Sequence, residues 1–359
     1  MARTPTGRID FLDYMRVFAF ASVLIGHLFY QDLLVASVDP SLHVAFRQLA
    51  RALYDICYAG ASGVIVFFLV SGYIITHVIR AETATDFIIR RIFRIYPLFI
   101  VAVFLEIAAA RYVGVPFPAL TEVLPKLLLL GDFFGTPYSL GGVEWTLRVE
   151  ILFYIFMVAL KSTGILSLTR SLPFIFVALS GLLAVLAPFP GWAGWTNGYF
   201  NMFFPFLLIG VLFYLSEHGL AGKVTCMLAG TAILGISLLQ IPTLKPMLAD
   251  SNFEILALAL FGGAWLFRHQ IKGNWITANL SELTYSVYLI HLWLWPYLEY
   301  AVNKFGVSFL PNRLQRLVFL FIVCLVLAKT VEKYGVKLGR AVSKKAISFN
   351  LTKPMNNAP

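Results

Sequence analysis

Charge is what the sequence is short of. Asp, Glu, Lys and Arg make up 13% of its 359 residues, about half the share of a soluble domain. Hydrophobic residues make up 59%, and the mean hydropathy is +0.81. That balance excludes a water-soluble globule and describes a chain solvated largely by lipid. Cysteine is scarce as well. Cys57, Cys226 and Cys324 lie far apart, in or beside apolar segments, and form no CxxC pair. A zinc site and a disulfide framework are therefore not expected. No DD or DxD pair occurs, so the acidic cluster that would hold a catalytic metal is missing, and no metal is expected. Internal repeats and low-complexity tracts are absent, and no polar stretch is long enough for a separate soluble domain.

What is present is a series of apolar segments. Ten of them, at about 10–30, 56–79, 95–112, 143–161, 172–188, 198–215, 224–240, 253–268, 283–300 and 314–334, approach the roughly 20 residues needed to cross a bilayer. A shorter piece, Leu124 to Phe134, holds Gly131 and Asp132. It is expected to be a re-entrant or interfacial segment buried in protein, where bilayer physics tolerates broken helices. The first apolar run is too long and too charged for a cleavable signal, so it is expected to remain as the first span. The expected fold is an all-α polytopic membrane protein with about ten transmembrane helices, a short re-entrant segment, and both termini cytoplasmic. Residues 1–340 form the transmembrane domain and residues 341–359 a short basic cytoplasmic tail.

The basic residues support that topology. The net charge is +10, but the excess does not point to nucleic acid. It gathers in loops on one side: Arg80, Arg90, Arg91 and Arg94, then Lys161 and Arg170, Lys223, and Arg268 with Lys272, followed by the tail from Lys333 to Lys353. This is the distribution the positive-inside rule predicts for cytoplasmic loops.

Five polar constellations interrupt the apolar background. The first is DFLDYMRVFAFASVLIGHLFY, residues 10–30, with Asp13, Arg16 and His27 inside a span. Arg16 and His27 are eleven positions apart, which is close to three full turns, so they share a face about 16 Å apart along the axis. Asp13 lies one turn before Arg16 and can pair with it. A lone histidine in such a place is usually a packed, hydrogen-bonded one. With Arg16 on the same face, a polar cavity and a general-base role for His27 become the sharper reading.

The second constellation is Ser71–Gly72 in GVIVFFLVSGYIIT, where small residues favour close helix packing. A serine nucleophile there would need a base within hydrogen-bond reach. The third is FIIRRIFRIYP, where Arg90, Arg91 and Arg94 precede a span. They are either a topology anchor meeting anionic membrane lipids or a phosphate clamp, since guanidinium groups bind phosphate oxygens bidentately. The fourth is GGVEWTLRVEILFY. Glu144 is expected at the outer interface with Trp145 as its anchor. Arg148 and Glu150 fall within the span, and Glu150 is expected to lean on Arg148 or on His27. The fifth is LSELTYSVYLIHLWLW, in which His291 follows Tyr288 by one turn and reads as a packed, satisfied group.

Taken in order, Arg16 with His27, FFLVSGYII, RRIFRIYP, EWTLRVE and SVYLIHL resemble the acyltransferase-3 family of integral-membrane O-acyltransferases. The resemblance covers roughly residues 9–333. It implies an enzyme that moves an acyl group, often acetyl and sometimes succinyl, from cytoplasmic acyl-CoA to a sugar hydroxyl. The acceptor would be exopolysaccharide or another surface glycan, free or as a lipid-linked oligosaccharide, and the setting a bacterial inner membrane. Carried over by motif, Arg16 and His27 match the essential first-helix pair, Arg91 and Arg94 the inner-face arginines with Arg90 beside them, Glu150 the motif carboxylate, and His291 the late histidine. Thr146 stands where many relatives have serine, and Arg148 is an extra charge. The implied mechanism has His27, oriented by Glu150, as base. Arg16 would stabilise an oxyanion or hold the cofactor, and Asp13, Ser71, Trp145, Arg148, Tyr288 and His291 would support the site. Direct transfer and a two-step route through an acyl-histidine or acyl-Ser71 both stay open. A lipid-linked glycan transporter or flippase is the rival reading. A polyprenyl-dependent glycosyltransferase is a weaker one, for want of an acidic metal cluster.

Overall fold

The computed structural model describes residues 8–191, 196–249 and 251–352. Among the described residues there are helices and no strands. In chain order the α-helices are α1 (Asp10–Leu28), α2 (Tyr30–Val38), α3 (Val44–Cys57), α4 (Ala61–Ala81), α5 (Ala84–Tyr112), α6 (Leu120–Leu127), α7 (Gly131–Phe134), α8 (Trp145–Ser162), α9 (Leu172–Val185), α10 (Tyr199–Glu217), α11 (Lys223–Leu244), α12 (Phe253–Leu266), α13 (Trp275–Phe305), α14 (Asn312–Leu327) and α15 (Lys333–Thr352). A π-helical turn, Ala328–Glu332, joins the last two without a break.

Each of the ten apolar segments is largely helical, the one at 56–79 lying mostly on α4 and the one at 314–334 running from α14 through the π-helical turn into α15. Six helical stretches are long and apolar enough to cross a membrane: Asp10–Leu28, Val44–Ala81, Ala84–Tyr112, Tyr199–Glu217, Lys223–Leu244 and Asn312–Lys345. Leu172–Val185 and Phe253–Leu266 are apolar but shorter. Helix α8 carries Arg148, Glu150 and Lys161 along its 18 residues. The chain is thus an all-helical membrane protein. Of the basic tail expected from residue 341 onward, residues 353–359 lie outside the described residues. The part before them continues α15.

The expected buried re-entrant piece takes a different form. Helices α6 and α7 are short and linked by a turn, and Leu120, Leu124, Phe133 and Phe134 are exposed while only Val123, Leu129 and Gly131 in this stretch are buried. Burial in protein is needed for an irregular backbone in hydrocarbon. It is not needed for apolar side chains on helical turns, because lipid is as apolar as leucine.

The chain divides into two compact units, residues 1–77 with 143–284 and residues 78–142 with 285–359. In the first, α1 and α4 run antiparallel. Gly60 meets Val23 and His27, Gly63 meets Ala19 and Ser22, and Tyr73 meets Phe11 edge-on with ring centroids 5.8 Å apart. Helix α4 also crosses α10 at two glycines. A Cβ on Gly72 would overlap the Leu207 carbonyl, and one on Gly210 would overlap the Leu69 carbonyl. The small-residue reading of Ser71–Gly72 therefore has its partner in Gly210.

In the second unit, Gly335, Gly339 and Ser343 recur every four residues and form the face of α15 that meets α5. Gly335 sits against Phe93 and Pro97, and Ser343 donates to Asp86 Oδ1 at 2.5 Å. The Thr83 hydroxyl caps α5 by accepting the Asp86 N–H at 3.1 Å.

Replacing Gly72 with valine is expected to cost about 1–3 kcal/mol or more, as overpacking does. Gly235, beside which a Cβ meets nothing within 4 Å, should accept alanine without loss. Thermal unfolding of the detergent-solubilised variants checks both.

Candidate functional site

In the first unit the polar residues of α1, α4 and α8 lie at two levels. The upper level is at the C-terminal end of α1. There the chain between α3 and α4 makes a left-handed turn, with Ala59 at φ 51° and Gly60 at φ 68°. Alanine rarely adopts this conformation. The turn lies directly on α1, because a Cβ on Gly26 would overlap the Cys57 carbonyl. His27 hydrogen-bonds to the Ala59 backbone, as an N–H donating to its carbonyl. Its Nε2 lies within 3.4 Å of where a Cβ on Gly60 would be.

The lower level is reached eleven residues further along both helices, about 16 Å away. Here Asp13 is buried and held by Arg8, whose Nε and Nη2 lie 2.8 and 3.2 Å from its two oxygens. Ser281 donates to Asp13 Oδ1 at 2.7 Å. Arg16 approaches the same oxygen at 3.8 Å. The Asp13–Arg16 pairing expected from spacing is present, but Arg8 is the closer cation. Also at this level, the Ser71 hydroxyl donates to Glu150 Oε1 at 3.0 Å, and the Tyr154 hydroxyl donates to the same oxygen at 2.6 Å.

Two expectations for α8 are corrected. Glu150 hydrogen-bonds to Ser71 and Tyr154, not to His27 or Arg148. The antiparallel register puts Ser71, and with it Glu150, far below the imidazole, and Arg148 is two positions away on another face. Glu144 and Trp145 are packed inside the protein rather than presented at its surface. Glu144 is 1% exposed and forms an ion pair with Arg148 at 3.1 Å, the i,i+4 spacing that places both on one face. Trp145 is packed among Phe68, Tyr199 and Phe203, with ring centroids 6.1, 5.1 and 4.9 Å away.

The second unit holds the arginine run. Arg90 is built into the fold: its Nη1 donates to Glu82 at 2.6 Å and its Nε to the Ser343 hydroxyl at 3.3 Å. It therefore ties α5 to the turn that precedes it and to α15, and is not a spare cation for a ligand. Arg91 is half-buried, with its guanidinium over the Phe87 ring at 5.4 Å. Arg94 is half-buried and makes no hydrogen bond or ion pair among the described residues. His291 is fully buried. Its Nδ1 lies 2.9 Å from the Tyr288 carbonyl and 3.1 Å from that of Val287, and its ring lies 6.1 Å from the Tyr288 ring. A carbonyl only accepts, so Nδ1 carries the proton, as in the packed, satisfied histidine read from the sequence.

Sequence reasoning missed Arg8, Ser281, Tyr154 and the Ala59 carbonyl. Tyr154 is four residues after Glu150, a signal that was available. The Ala59 carbonyl is a backbone group in an unusual conformation, and no residue type announces it. Among the described residues, no three of His, Cys, Asp and Glu come together to hold a metal ion.

The comparisons with known proteins bear on this arrangement. The family described as "Acyltransferase domain" (Acyl_transf_3) matches residues 9–330. "Nodulation protein 10" of Rhizobium leguminosarum bv. viciae is 26% identical over 170 residues, covering 42% of this chain and 43% of that protein. "Acyltransferase MdmB" of Streptomyces mycarofaciens is 30% identical over 158 residues, covering 41% of this chain and 38% of that protein. The chain thus matches about two-fifths of the length of these curated relatives. No solved structure matches. The family match runs from the first residues of α1, through both polar levels and the arginine run, to the π-helical turn after α14, and on that extent the chain belongs to the acyltransferase domain family.

Proposed function

We propose that this protein is a membrane O-acyltransferase. It moves an acyl group, acetyl or alternatively succinyl, from acyl-CoA on the cytoplasmic side of a bacterial inner membrane to a sugar hydroxyl of an exopolysaccharide or another cell-surface glycan, free or lipid-linked. The observation that carries the reading is the His27 ring hydrogen-bonded to the Ala59 carbonyl at the end of α1. A neutral imidazole that donates through one nitrogen offers a lone pair at the other, which is the form a general base needs. The acceptor hydroxyl gives its proton to His27, its oxygen attacks the thioester carbonyl, and the carbon–sulfur bond breaks. The departing thiolate then takes the proton from His27. Arg91 and Arg94 hold donor phosphates, a role for which Arg94 has no competing partner among the described residues. Family membership supports acyl transfer over the transporter reading.

The two levels favour direct transfer. An acyl group on Ser71 would lie about 16 Å from the level of His27, out of reach of a hydroxyl activated there.

In a strain lacking the gene, the acyl-sized mass on the surface glycan should disappear. It should return with the native gene and not with His27→Ala at equal expression, as read by mass spectrometry of the polysaccharide. Acylation left intact, with glycan trapped inside the cell, would replace this reading with transport. Arg91→Ala combined with Arg94→Ala should raise KM for acyl-CoA about ten- to hundredfold, the worth of one or two charged hydrogen bonds; an unchanged KM makes them topology anchors. Ser71→Ala should keep transfer, and native protein incubated with labelled acyl-CoA should carry no hydroxylamine-labile label at Ser71.

A further inference from the structure

Helix α3 leads into the turn that holds His27, and it carries a stripe that the reaction above does not use. Arg47, Arg51 and Tyr54 recur at spacings of four and three residues, which puts them on one side of the helix. Tyr58 follows just past the helix end, with its ring centroid 5.5 Å from that of Tyr54. The Arg51 guanidinium lies over the Tyr54 ring at 5.7 Å and pairs with Asp55 at 3.2 Å. Phe46 and Leu49, on another side of α3, are exposed. The helix thus has one apolar edge for lipid and a second edge that is aromatic and polar. That second edge ends at the reaction site. The residue before Tyr58 lays its carbonyl on Gly26, and the residue after it, Ala59, holds His27 through its own carbonyl. Ala59 is exposed and His27 half-buried, so the imidazole lies just beneath the end of the stripe. We propose that Tyr54, Tyr58, Arg47 and the Arg51–Asp55 pair form a docking surface for a saccharide segment of the acceptor, beside the hydroxyl that His27 activates. This rests on the O-acyltransferase reading above and gives the acceptor the contacts that reading leaves open.

The chemistry of the stripe is that of a sugar site. A pyranose ring presents a face of C–H groups and an edge of hydroxyls. The electron-rich face of an aromatic ring attracts the first, and two half-buried tyrosines side by side supply such faces with few rotamers to freeze. A hydroxyl both donates and accepts, so it uses a guanidinium and a carboxylate together, as the exposed Arg51–Asp55 pair presents them. The phosphate of a lipid headgroup only accepts, and Asp55 repels it. Arg51 is also held in place by the ring beneath it and the carboxylate beside it, which lowers the cost of ordering it on binding. Arg47 adds a donor, since its Nε is buried and without a hydrogen-bond partner among the described residues. Asp39, the acid whose charge acts on Arg47, is itself met by the Ser41 N–H and hydroxyl at 2.8 and 2.7 Å.

The test uses the full-length solubilised chain, acetyl-CoA or succinyl-CoA as donor and, as acceptor, glycan purified from a strain lacking the gene and cut to oligosaccharides. Tyr54→Ala and Tyr58→Ala should each raise KM for the oligosaccharide about three- to tenfold, with KM for the donor at its native value. The loss should fall on KM and not on kcat. Tyr54→Phe and Tyr58→Phe keep the rings and should restore KM. Arg47→Ala should raise the same KM, and Arg47→Lys should restore part of it. Equal changes in the two KM values, or an oligosaccharide KM that does not move, overturn the docking surface while acyl transfer stands. Thermal unfolding with and without phosphatidylglycerol supplies the lipid arm. If Tyr54→Ala combined with Tyr58→Ala abolishes stabilisation by that lipid and leaves the glycan KM unmoved, the stripe is a headgroup contact and the proposal is overturned. If the native chain acylates no oligosaccharide, the O-acyltransferase reading fails and the docking surface falls with it.

Discussion

A charge that leaves water must take its partner with it. In hydrocarbon an isolated ion costs several kcal/mol even after relaxation, and this constraint explains where the polar residues are. Asp13 has Arg8 and Ser281, Glu150 has Ser71 and Tyr154, Glu144 has Arg148, and Asp86 has Ser343. Apart from Arg8, which precedes α1, the partners are either one helical turn away, which fixes a side chain to its own helix, or on another helix, which fixes one helix to the next. The Ser71–Glu150 contact shows the second use. A hydroxyl in a helix usually turns back to its own carbonyl, as Thr76 does to Gly72 at 2.7 Å. Ser71 instead reaches across to α8, so the same bond satisfies a buried carboxylate and sets the spacing of two helices.

Close approach of backbones supplies the rest of the geometry. Gly26, Gly60 and Gly63 bring α1 against the turn and against α4, and Gly72 with Gly210 brings α4 against α10. Helices that touch through glycine have little freedom to slide. The register between α1 and α4 therefore fixes two levels a set distance apart. A flexible seam of large side chains would not hold that distance.

The helices and the polar face of α1 were legible in the sequence because both follow from periodicity. Apolar length marks the helices, and a separation of eleven residues puts Arg16 and His27 in line. Glu144 and Arg148 were equally legible from their i,i+4 spacing. They were missed because Glu144 was assigned to an interface, which removed the reason to look for its partner. Arg8 was missed because it precedes the span, and a partner for Asp13 was sought within it. The Ala59 carbonyl had no signal at all, since a left-handed alanine is imposed by how α3 and α4 pack on Gly26. The contact between Arg90 and Ser343 joins residues 253 positions apart, and no local pattern carries such information.

The continuous helical stretch Asn312–Lys345 has 34 residues, about 51 Å of helix against a hydrocarbon thickness near 30 Å. Its far portion must extend beyond the lipid. There Lys333, Lys337, Arg340, Lys344 and Lys345 are exposed, with no acidic residue from 333 to 352. Glycines on the opposite face hold this portion against α5, the helix that carries Arg91 and Arg94. A rigid positive rod beside the arginine run sets up a field that reaches about one Debye length, roughly 8 Å, into physiological solution. A multiply charged anion entering that field would be drawn toward the membrane face before touching any residue. Its rate of encounter would then depend on ionic strength even where its affinity does not.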